Sequence, residues 1–205
     1  MSLKLFSCHG GHVILPSSVL VSRQDGGNLW VIPPREVWER SELTPVELML
    51  WSFLVTATGK AMLDVLPQLE GGCINYFDAG NWALHDQAEP HGPKTGKAHR
   101  KVHMHLLGRS RTATDPSWRW GEAPKFPDFT ERRSWAAKFE RLRAEECQAI
   151  VRKVESLLVT HYGMHTSHIV PWSTCNACRY PKLIENGQAQ MVCPECQYRR
   201  SEASG

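Results

Sequence analysis

The sequence lacks several features that would place it in a class at once. Its 205 residues contain no run of about eighteen consecutive apolar residues, the length that crosses a bilayer. Residues 1–21 have no basic segment followed by a long apolar one, which a secretory signal peptide needs. Internal repeats and low-complexity segments are missing too. These absences favour a cytoplasmic globular protein with no membrane partner, in which the seven cysteines would not form mainly disulfides.

The net charge is small but unevenly distributed. Residues 1–90 hold 5 Lys and Arg against 10 Asp and Glu, whereas residues 91–145 hold 13 against 6. The remaining residues hold 6 against 5, which gives the total of +3. The cationic middle block can face phosphates or a polyanion. Its charges can equally be scattered over a solvated surface, so composition leaves both readings open.

Apolar periodicity and turn residues predict a fold with both strands and helices. Thr44 as N-cap, Pro45 in the first turn and Glu47 three residues on predict a helix that ends before Pro67. A second, long amphipathic helix is predicted from about Thr130 to Tyr162. Alternating or apolar β-prone segments predict strands; these are Val13–Val21, Leu29–Ile32, Cys73–Phe77 and Lys101–Leu107.

The last of these strands carries two histidines. Because successive side chains of a strand point to opposite faces, Val102, Met104 and Leu106 share an apolar face. His103 and His105 share the other face, about 6–7 Å apart. A neutral imidazole can attack phosphorus and form a phosphoramidate, while a neighbouring imidazolium stabilises charge. The pair can alternatively be two metal ligands, or simply part of an exposed polar face.

Five segments of the sequence, taken in order, resemble those of the histidine triad (HIT) family. They are Asn28–Arg35, Leu43–Leu48, Ile74–Asn75, Ala79–Asn81 and Lys101–Arg109. No single segment is specific, but the ordered set is. The resemblance covers about residues 10 to 110.

The resemblance implies an α+β fold in which an antiparallel sheet packs with helices. It implies that His103 is a nucleophile that attacks the α-phosphorus of a nucleotide, and that His105 contacts phosphate. Asn81 falls where the family often has Gln beside the phosphates, and Asn75 falls near phosphate or ribose. The nucleobase would lie near residues 29–33. The remaining candidates for substrate binding are Trp30, Ile32, Lys101 and Arg109.

Two features depart from the family pattern. Lys101 stands in place of the first motif histidine, so a backbone carbonyl would have to fix the tautomer of His103. The segment between Asn81 and His103 is also much longer than in the family. It is either a lid that selects substrate or a disordered decoration.

A second constellation lies near the C-terminus. Cys175 and Cys178 form one Cys-x-x-Cys pair, Cys193 and Cys196 form another, and fourteen residues separate the pairs. This spacing predicts a tetrahedral Zn²⁺ on two knuckles, with disulfides or an iron–sulfur cluster as alternatives. Four thiolates close the coordination sphere, so the metal would be structural and would stabilise a segment too small to fold alone.

Cys8, His9 and His12 form a weaker cluster near the N-terminus. With a histidine from the long loop they could hold a second metal ion. They can also be ordinary N-terminal residues, which we consider the simpler interpretation.

The sequence thus predicts three parts: an HIT-like nucleotide-binding domain at 1–128, a long helix and connector at 129–170, and a zinc-ribbon-like segment at 171–205. The favoured function is that of a hydrolase or nucleotidyl transferase acting on dinucleoside polyphosphates or nucleoside phosphoramidates. One alternative is aprataxin-like processing of adenylated nucleic-acid ends, with the zinc module gripping nucleic acid. Another is a non-catalytic nucleotide-binding protein. The resemblance makes a homodimer possible, because HIT-like proteins are often dimers, but the sequence leaves the oligomeric state open.

Overall fold

The computed structural model describes residues 2–78 and 80–184, and within them it has an α+β fold. Five strands form one antiparallel sheet with the order β1-β2-β3-β5-β4. They are β1 (Leu3–Cys8), β2 (Gly11–Leu15), β3 (Asn28–Ile32), β4 (Cys73–Asp78) and β5 (Met104–Arg109). The helices are α1 (Pro45–Val65), α2 (Gly96–His99), α3 (Arg132–Ala136) and α4 (Ala144–Thr160). A separate hairpin is made of β6 (Trp172–Thr174) and β7 (Pro181–Leu183). The predicted antiparallel sheet packed with helices is therefore confirmed.

Helix α1 begins where the sequence predicts. The Thr44 side chain accepts a hydrogen bond from the Glu47 backbone N–H, and the Glu47 carboxylate accepts one from the Thr44 backbone N–H. This reciprocal capping box satisfies donors that the first helical turn leaves without partners. The helix ends at Val65, two residues before Pro67.

By length and composition α1 also qualifies as a membrane span, with a mean hydropathy of 1.3, although the sequence has no uninterrupted apolar run of that length. Core helices meet the same criterion. Trp51, Leu54 and Met62 of α1 are fully buried in the core, which accounts for the apolar character of the helix.

The main hydrophobic core lies between one face of the sheet and the helices α1 and α4. Val102, Met104 and Leu106 are buried in it, as the predicted alternation along this stretch requires. Helix α4 contributes Ile150 and Val154 to the same core. We call this side of the sheet the helical face.

The predicted helix over 130–162 is wrong in its first half. The chain instead forms the short α3, an irregular segment, and then α4 from residue 144. The Glu140 carbonyl accepts from the Arg23 backbone N–H at 2.9 Å, which fixes this part of the chain against a distant loop. Arg23 also forms an ion pair of 2.9 Å with Glu146, which caps the new helix through the Arg143 backbone N–H. These contacts are non-local, so helical periodicity could not reveal them.

The opposite side of the sheet, which we call the site face, is covered by parts of the segments 81–100 and 110–136. The Trp118 indole N–H donates to the Gly108 carbonyl at 2.7 Å, and Phe126 stacks on Phe77 with ring centroids 5.0 Å apart. Residues 111–128, which form neither helix nor strand, thus pack against the sheet, and we call this segment the connector.

The described part of the C-terminal segment belongs to the same body. The hairpin of β6 and β7 contacts β1, and Trp172 and Tyr180 pack against the main core. Cys193 and Cys196 lie outside the described residues. The three-part division of the chain stays a prediction.

Candidate active site

A cavity of about 790 Å³ lies on the site face of the sheet. We call it the active-site cavity. Six of the eight residues predicted to act in catalysis or substrate binding line it; they are Trp30, Ile32, Asn81, Lys101, His103 and His105. Residues that the sequence analysis did not single out complete the wall; among them are Leu20, Phe77, Trp82, Phe126, Arg132 and Arg133.

The first histidine has its tautomer fixed by the backbone. His103 lies just before β5, and its Nδ1 is 2.8 Å from the Lys101 carbonyl oxygen. Because a carbonyl only accepts, Nδ1 must carry the proton. A neutral His103 therefore has its available lone pair on Nε2, so Nε2 is the ring atom that can act as a nucleophile. The Lys101 backbone thus performs the role that the sequence analysis assigned to a carbonyl.

The second histidine is buried and neutral. His105 is 7% exposed, and burial, followed by the charge of His103, lowers its pKa to about 3. Among the described residues its Nδ1 has no hydrogen-bond partner, whereas its Nε2 lies 3.0 Å from Nε2 of His103. The consistent assignment is that His105 Nε2–H donates to the His103 lone pair. In this arrangement His105 is a neutral imidazole that donates through Nε2–H.

The two rings are closer than alternation along a strand suggests. Their centroids are 4.8 Å apart rather than the separation of about 6–7 Å expected from strand geometry. Trp30 of β3 packs against both, with centroid distances of 5.1 Å to His103 and 5.4 Å to His105. The indole and the Lys101 carbonyl together orient the rings towards each other.

Aromatic rings flank His105 on both sides. It lies opposite Trp30 on β3 and opposite Phe77 on β4, so these three side chains form a row across the sheet. Phe77 in turn stacks on Phe126 from the connector. This apolar surrounding explains the burial of the imidazole, and it offers flat surfaces on which a nucleobase can stack.

Two of the cations in the cavity wall are already paired. The Lys101 ammonium lies 2.6 Å from a Glu36 carboxylate oxygen. Arg35 forms two hydrogen bonds to Glu47, of 2.9 and 3.1 Å, and this contact is the main reason that the pKa of Glu47 falls to about 2.

The long segment 81–100 forms one wall of the cavity and is held by ionic contacts at its end. The Arg100 guanidinium lies 2.7 Å from Glu39 and 3.5 Å from Asp78 at the end of β4. Burial raises the pKa of Asp78, against the opposing charges of Arg100 and Arg40. The segment was expected to be either a lid that selects substrate or a disordered decoration. These contacts favour the first alternative, because they hold the segment against the cavity.

Two predicted substrate-binding residues do not line the cavity. Asn75 lies on the site face opposite Leu107, and its Oδ1 is buried without a partner among the described residues. Arg109 donates to the Arg119 carbonyl at 3.1 Å, and its guanidinium lies 4.3 Å from the Trp118 ring. Arg109 therefore anchors the connector, a structural role that the cationic composition alone did not reveal.

Arg132 and Arg133 were not predicted to be site residues. Both were expected at the start of a long helix packed on the core, whereas α3 lies against the cavity. The excess of positive charge over residues 91–145 was the signal that could have found them.

Half of the predicted zinc set lies within the described residues. Cys175 and Cys178 lie in the turn that joins β6 to β7. The Cys175 N–H donates to the Tyr180 carbonyl at 2.9 Å, and the Arg179 N–H donates back to the Cys175 carbonyl at 3.0 Å. Arg179 has a φ of 67°, so the chain reverses tightly after the second cysteine. A turn of this kind suits a metal-binding knuckle.

The N-terminal cluster does not form a comparable arrangement. Burial raises the pKa of the Cys8 thiol to about 11, and His12 Nδ1 lies 2.8 Å from the Ser7 hydroxyl. Within residues 2–78 and 80–184, no three His, Cys, Asp or Glu side chains are grouped to hold a metal ion. The alternative of a second metal site with a loop histidine is therefore not supported.

Comparisons with known proteins give similarities to solved structures. No family model and no curated protein matches the chain. The chain is similar to the crystal structure of a histidine triad protein from Marinobacter aquaeolei VT8, with 18% identity over 75% of this chain and 90% of that one, and a TM-score of 0.43. It is also similar to a histidine triad (HIT) protein from Sinorhizobium meliloti 1021, with 20% identity over 67% of this chain and 86% of that one, and a TM-score of 0.38. At these scores neither similarity decides the fold or the activity.

Proposed function

We propose that the protein is a hydrolase or nucleotidyl transferase that acts at the α-phosphate of nucleotides through a covalent nucleotidyl-histidine intermediate. The observation that carries this proposal is the geometry of the histidine pair. His103 has its Nδ1 proton held by the Lys101 carbonyl, and its Nε2 lone pair lies beside the N–H of a neutral His105. Both rings line one cavity of about 790 Å³, a volume that accommodates a nucleotide.

In the first step the Nε2 lone pair of His103 attacks the α-phosphorus. The N–P bond forms, the bond to the leaving group breaks, and its electron pair departs with the leaving group. A phosphate leaving group departs as the anion, and an amine leaving group takes up a proton from solvent. The imidazolium that forms on His103 is stabilised by the hydrogen bond from Nδ1–H to the Lys101 carbonyl. His105 Nε2–H, released from its partner when the lone pair is used, donates to a non-bridging oxygen.

In the second step a water molecule or another acceptor attacks the same phosphorus. The new P–O bond forms, the N–P bond breaks, and its electron pair returns to His103 Nε2. The proton of the attacking group passes to solvent. Two steps with one positioned nucleophile match the general pattern for phosphoryl-type transfer, in which positioning and electrostatics supply most of the catalysis.

A single-turnover assay tests the proposal. Adenosine 5′-phosphoramidate and diadenosine tetraphosphate are mixed with excess wild-type protein or the His103→Asn variant, then quenched and analysed by intact-protein mass spectrometry. We expect the wild type to release AMP and to gain the mass of one nucleotidyl group, and the variant to do neither. His91→Asn is the matched control, because His91 is an exposed histidine outside the cavity that pairs with Glu89.

Three results would count against the proposal. Undiminished turnover in His103→Asn would remove His103 from the chemistry. Turnover without the trapped adduct would reject the covalent intermediate. Nucleotide binding without any turnover in the wild type would support the non-catalytic alternative.

We further propose that Cys175, Cys178, Cys193 and Cys196 hold one structural Zn²⁺. The support is the turn that presents the first pair and the thiolate chemistry that Zn²⁺ prefers. Metal analysis of the full chain tests it: about one zinc per chain is expected for the wild type, and loss of zinc for Cys175→Ser. Zinc retained in the variant would contradict this ligand set. Cytoplasmic location, the absence of a membrane partner and a homodimer stay predictions.

A further inference from the structure

Four Lys and Arg side chains with different surroundings line the active-site cavity; they are Arg35, Lys101, Arg132 and Arg133. The first two are neutralised by Glu47 and Glu36. Among the described residues neither arginine of α3 has a carboxylate within ion-pair distance, and Arg133 is exposed. Within residues 2–78 and 80–184, two guanidinium groups in the wall thus have no carboxylate partner.

One of these guanidinium groups is held in place before any ligand arrives. Arg132 lies over the Phe129 ring at 3.5 Å from the centroid, and it donates to the Phe129 carbonyl. The Phe129 ring is itself stacked on His85 of the long segment, with centroids 4.3 Å apart and an interplanar angle of 12°. A guanidinium fixed in this way loses less conformational freedom when it binds an anion.

The short helix α3 is attached at both ends. Phe129, just before it, stacks on the segment 81–100, and the Trp135 indole N–H lies 3.5 Å from the Leu20 carbonyl on the β2–β3 connection. The helix therefore reaches from one wall of the cavity to another. Its two arginines line the same cavity as His103.

We propose that Arg132 and Arg133 form a leaving-group subsite that binds phosphate, so that the enzyme prefers substrates whose leaving group is a phosphate. This inference rests on the proposed function, since it names the group that departs when His103 attacks. The planar fork of Arg matches phosphate oxygens in two parallel hydrogen bonds.

The chemistry of the two leaving groups explains why the preference arises. When the P–O bond of a polyphosphate breaks, the departing phosphate takes the electron pair as an anion and needs no proton. Guanidinium groups stabilise that charge directly. When the P–N bond of a phosphoramidate breaks, the nitrogen must gain a proton, which an arginine does not release near neutral pH. The arginine pair thus helps the first class of substrate more than the second.

The experiment compares three substrates that share one adenylyl group. Adenosine 5′-phosphoramidate has an amine leaving group, diadenosine tetraphosphate has a small-molecule polyphosphate, and a 5′-adenylated oligodeoxynucleotide has a nucleic-acid phosphate. Each is assayed with the wild type, with Arg132→Gln/Arg133→Gln, and with Arg133→Gln alone, which removes only an exposed side chain. Lys138→Gln is the matched control, because it removes a positive charge close to α3 but outside the cavity.

We expect the double variant to lower kcat/KM for the phosphate leaving groups about 10- to 100-fold more than for the phosphoramidate, the effect of losing hydrogen bonds to a charged group. Arg133→Gln should give a smaller change in the same direction, and Lys138→Gln none. The wild-type kcat/KM values identify the source of the phosphate. A preference for the oligonucleotide that declines steeply with salt indicates a nucleic-acid end. Equal losses on all three substrates, or no loss, would overturn the inference.

A binding measurement separates this inference from the proposed function. Inorganic tripolyphosphate is titrated into each protein while tryptophan fluorescence is followed, since Trp30 and Trp82 line the cavity. If the wild type turns over none of the three substrates, the proposed function fails. The subsite still stands in that case if the tripolyphosphate Kd rises at least about tenfold in the double variant and not in Lys138→Gln. An unchanged Kd removes the subsite.

Discussion

One face of the five-stranded sheet is covered by regular helices, and the other by segments with little regular structure. On the helical face, Leu106 and Val31 pack against the apolar sides of α1 and α4. On the site face, His105 and Trp30 lie under turns, a 3₁₀ helix and the short α3. Periodic burial on the helical face therefore stabilises the sheet, whereas the irregular segments on the other face place polar groups around the active-site cavity.

The site face also buries polar side chains. The site face buries His105, Arg109 and Asn28, and the last two are held by backbone partners. Asn28 Oδ1 accepts from the Leu20 N–H at 3.1 Å, so it fixes the start of one cavity wall. Buried polar groups need partners of this kind, and irregular backbone supplies them because its own N–H and C=O groups are not consumed in a helix.

Substitution at the site face should separate activity from stability most strongly. His103→Asn removes the proposed nucleophile. The His103 side chain is half-buried, and its main contact is with a backbone carbonyl. We expect single-turnover rates to fall by about a thousandfold or more, with the free energy of unfolding changed by less than about 1 kcal/mol. Urea denaturation alongside the assay checks both. A large loss of stability would show that the pair is structural and would break the contrast between the faces.

Substitution at the helical face should lower stability and leave activity unchanged. Leu106→Ala removes a fully buried side chain from β5, at the position next to His105. It should lower the free energy of unfolding by about 2–5 kcal/mol while the folded fraction keeps its turnover rate. Leu63→Ala on the exposed side of α1 is the control, with an expected change within about 0.5 kcal/mol. Similar losses in both variants would mean that the helical face is not the main core.

The helical face was predictable because its signals are local. The capping box at Thr44 and Glu47 lies within four residues, and the alternation of Val102, Met104 and Leu106 within five. The site face was predictable only where a motif marks it, as at His103 and His105. The position of each histidine followed from the sequence, whereas their contact, with Nε2 atoms 3.0 Å apart, did not.

The remaining part of the site depends on contacts between residues far apart in the chain. The bond between Arg23 and Glu140 interrupts the predicted long helix, and it joins positions more than a hundred residues apart. Arg109 was a candidate for substrate binding in the sequence, but its guanidinium lies over the Trp118 ring in the structure. No periodicity or spacing encodes such pairs, which is why α3 and its arginines were missed.

The buried imidazole should give the site face a pH dependence that the helical face lacks. The pKa of His105 is about 3 in the folded protein and about 6.5 in an unfolded chain, so between these values the unfolded state binds the extra proton. The contribution of the buried neutral His105 to the free energy of unfolding is complete above about pH 6.5. It is lost as the pH falls towards 3, at about 1.4 kcal/mol per pH unit. Comparing the pH profiles of wild type and His105→Gln by urea denaturation isolates this slope. Parallel profiles would show that His105 is accessible to protons in the folded state.

The smallest expected effect is at the start of α1, where the two faces are connected. Thr44 caps the helix, and its partner Glu47 also binds Arg35 in the cavity wall. Thr44→Ala should lower the free energy of unfolding by about 1 kcal/mol and leave turnover unchanged, because Arg35 keeps its carboxylate. Ser52→Ala removes a hydroxyl from the interior of the same helix, where Ala is favoured, so no loss of stability is expected. If turnover falls in Thr44→Ala and not in Ser52→Ala, the capping box positions the cavity wall through Glu47 and Arg35, and the helical face contributes to the site as well as to the core.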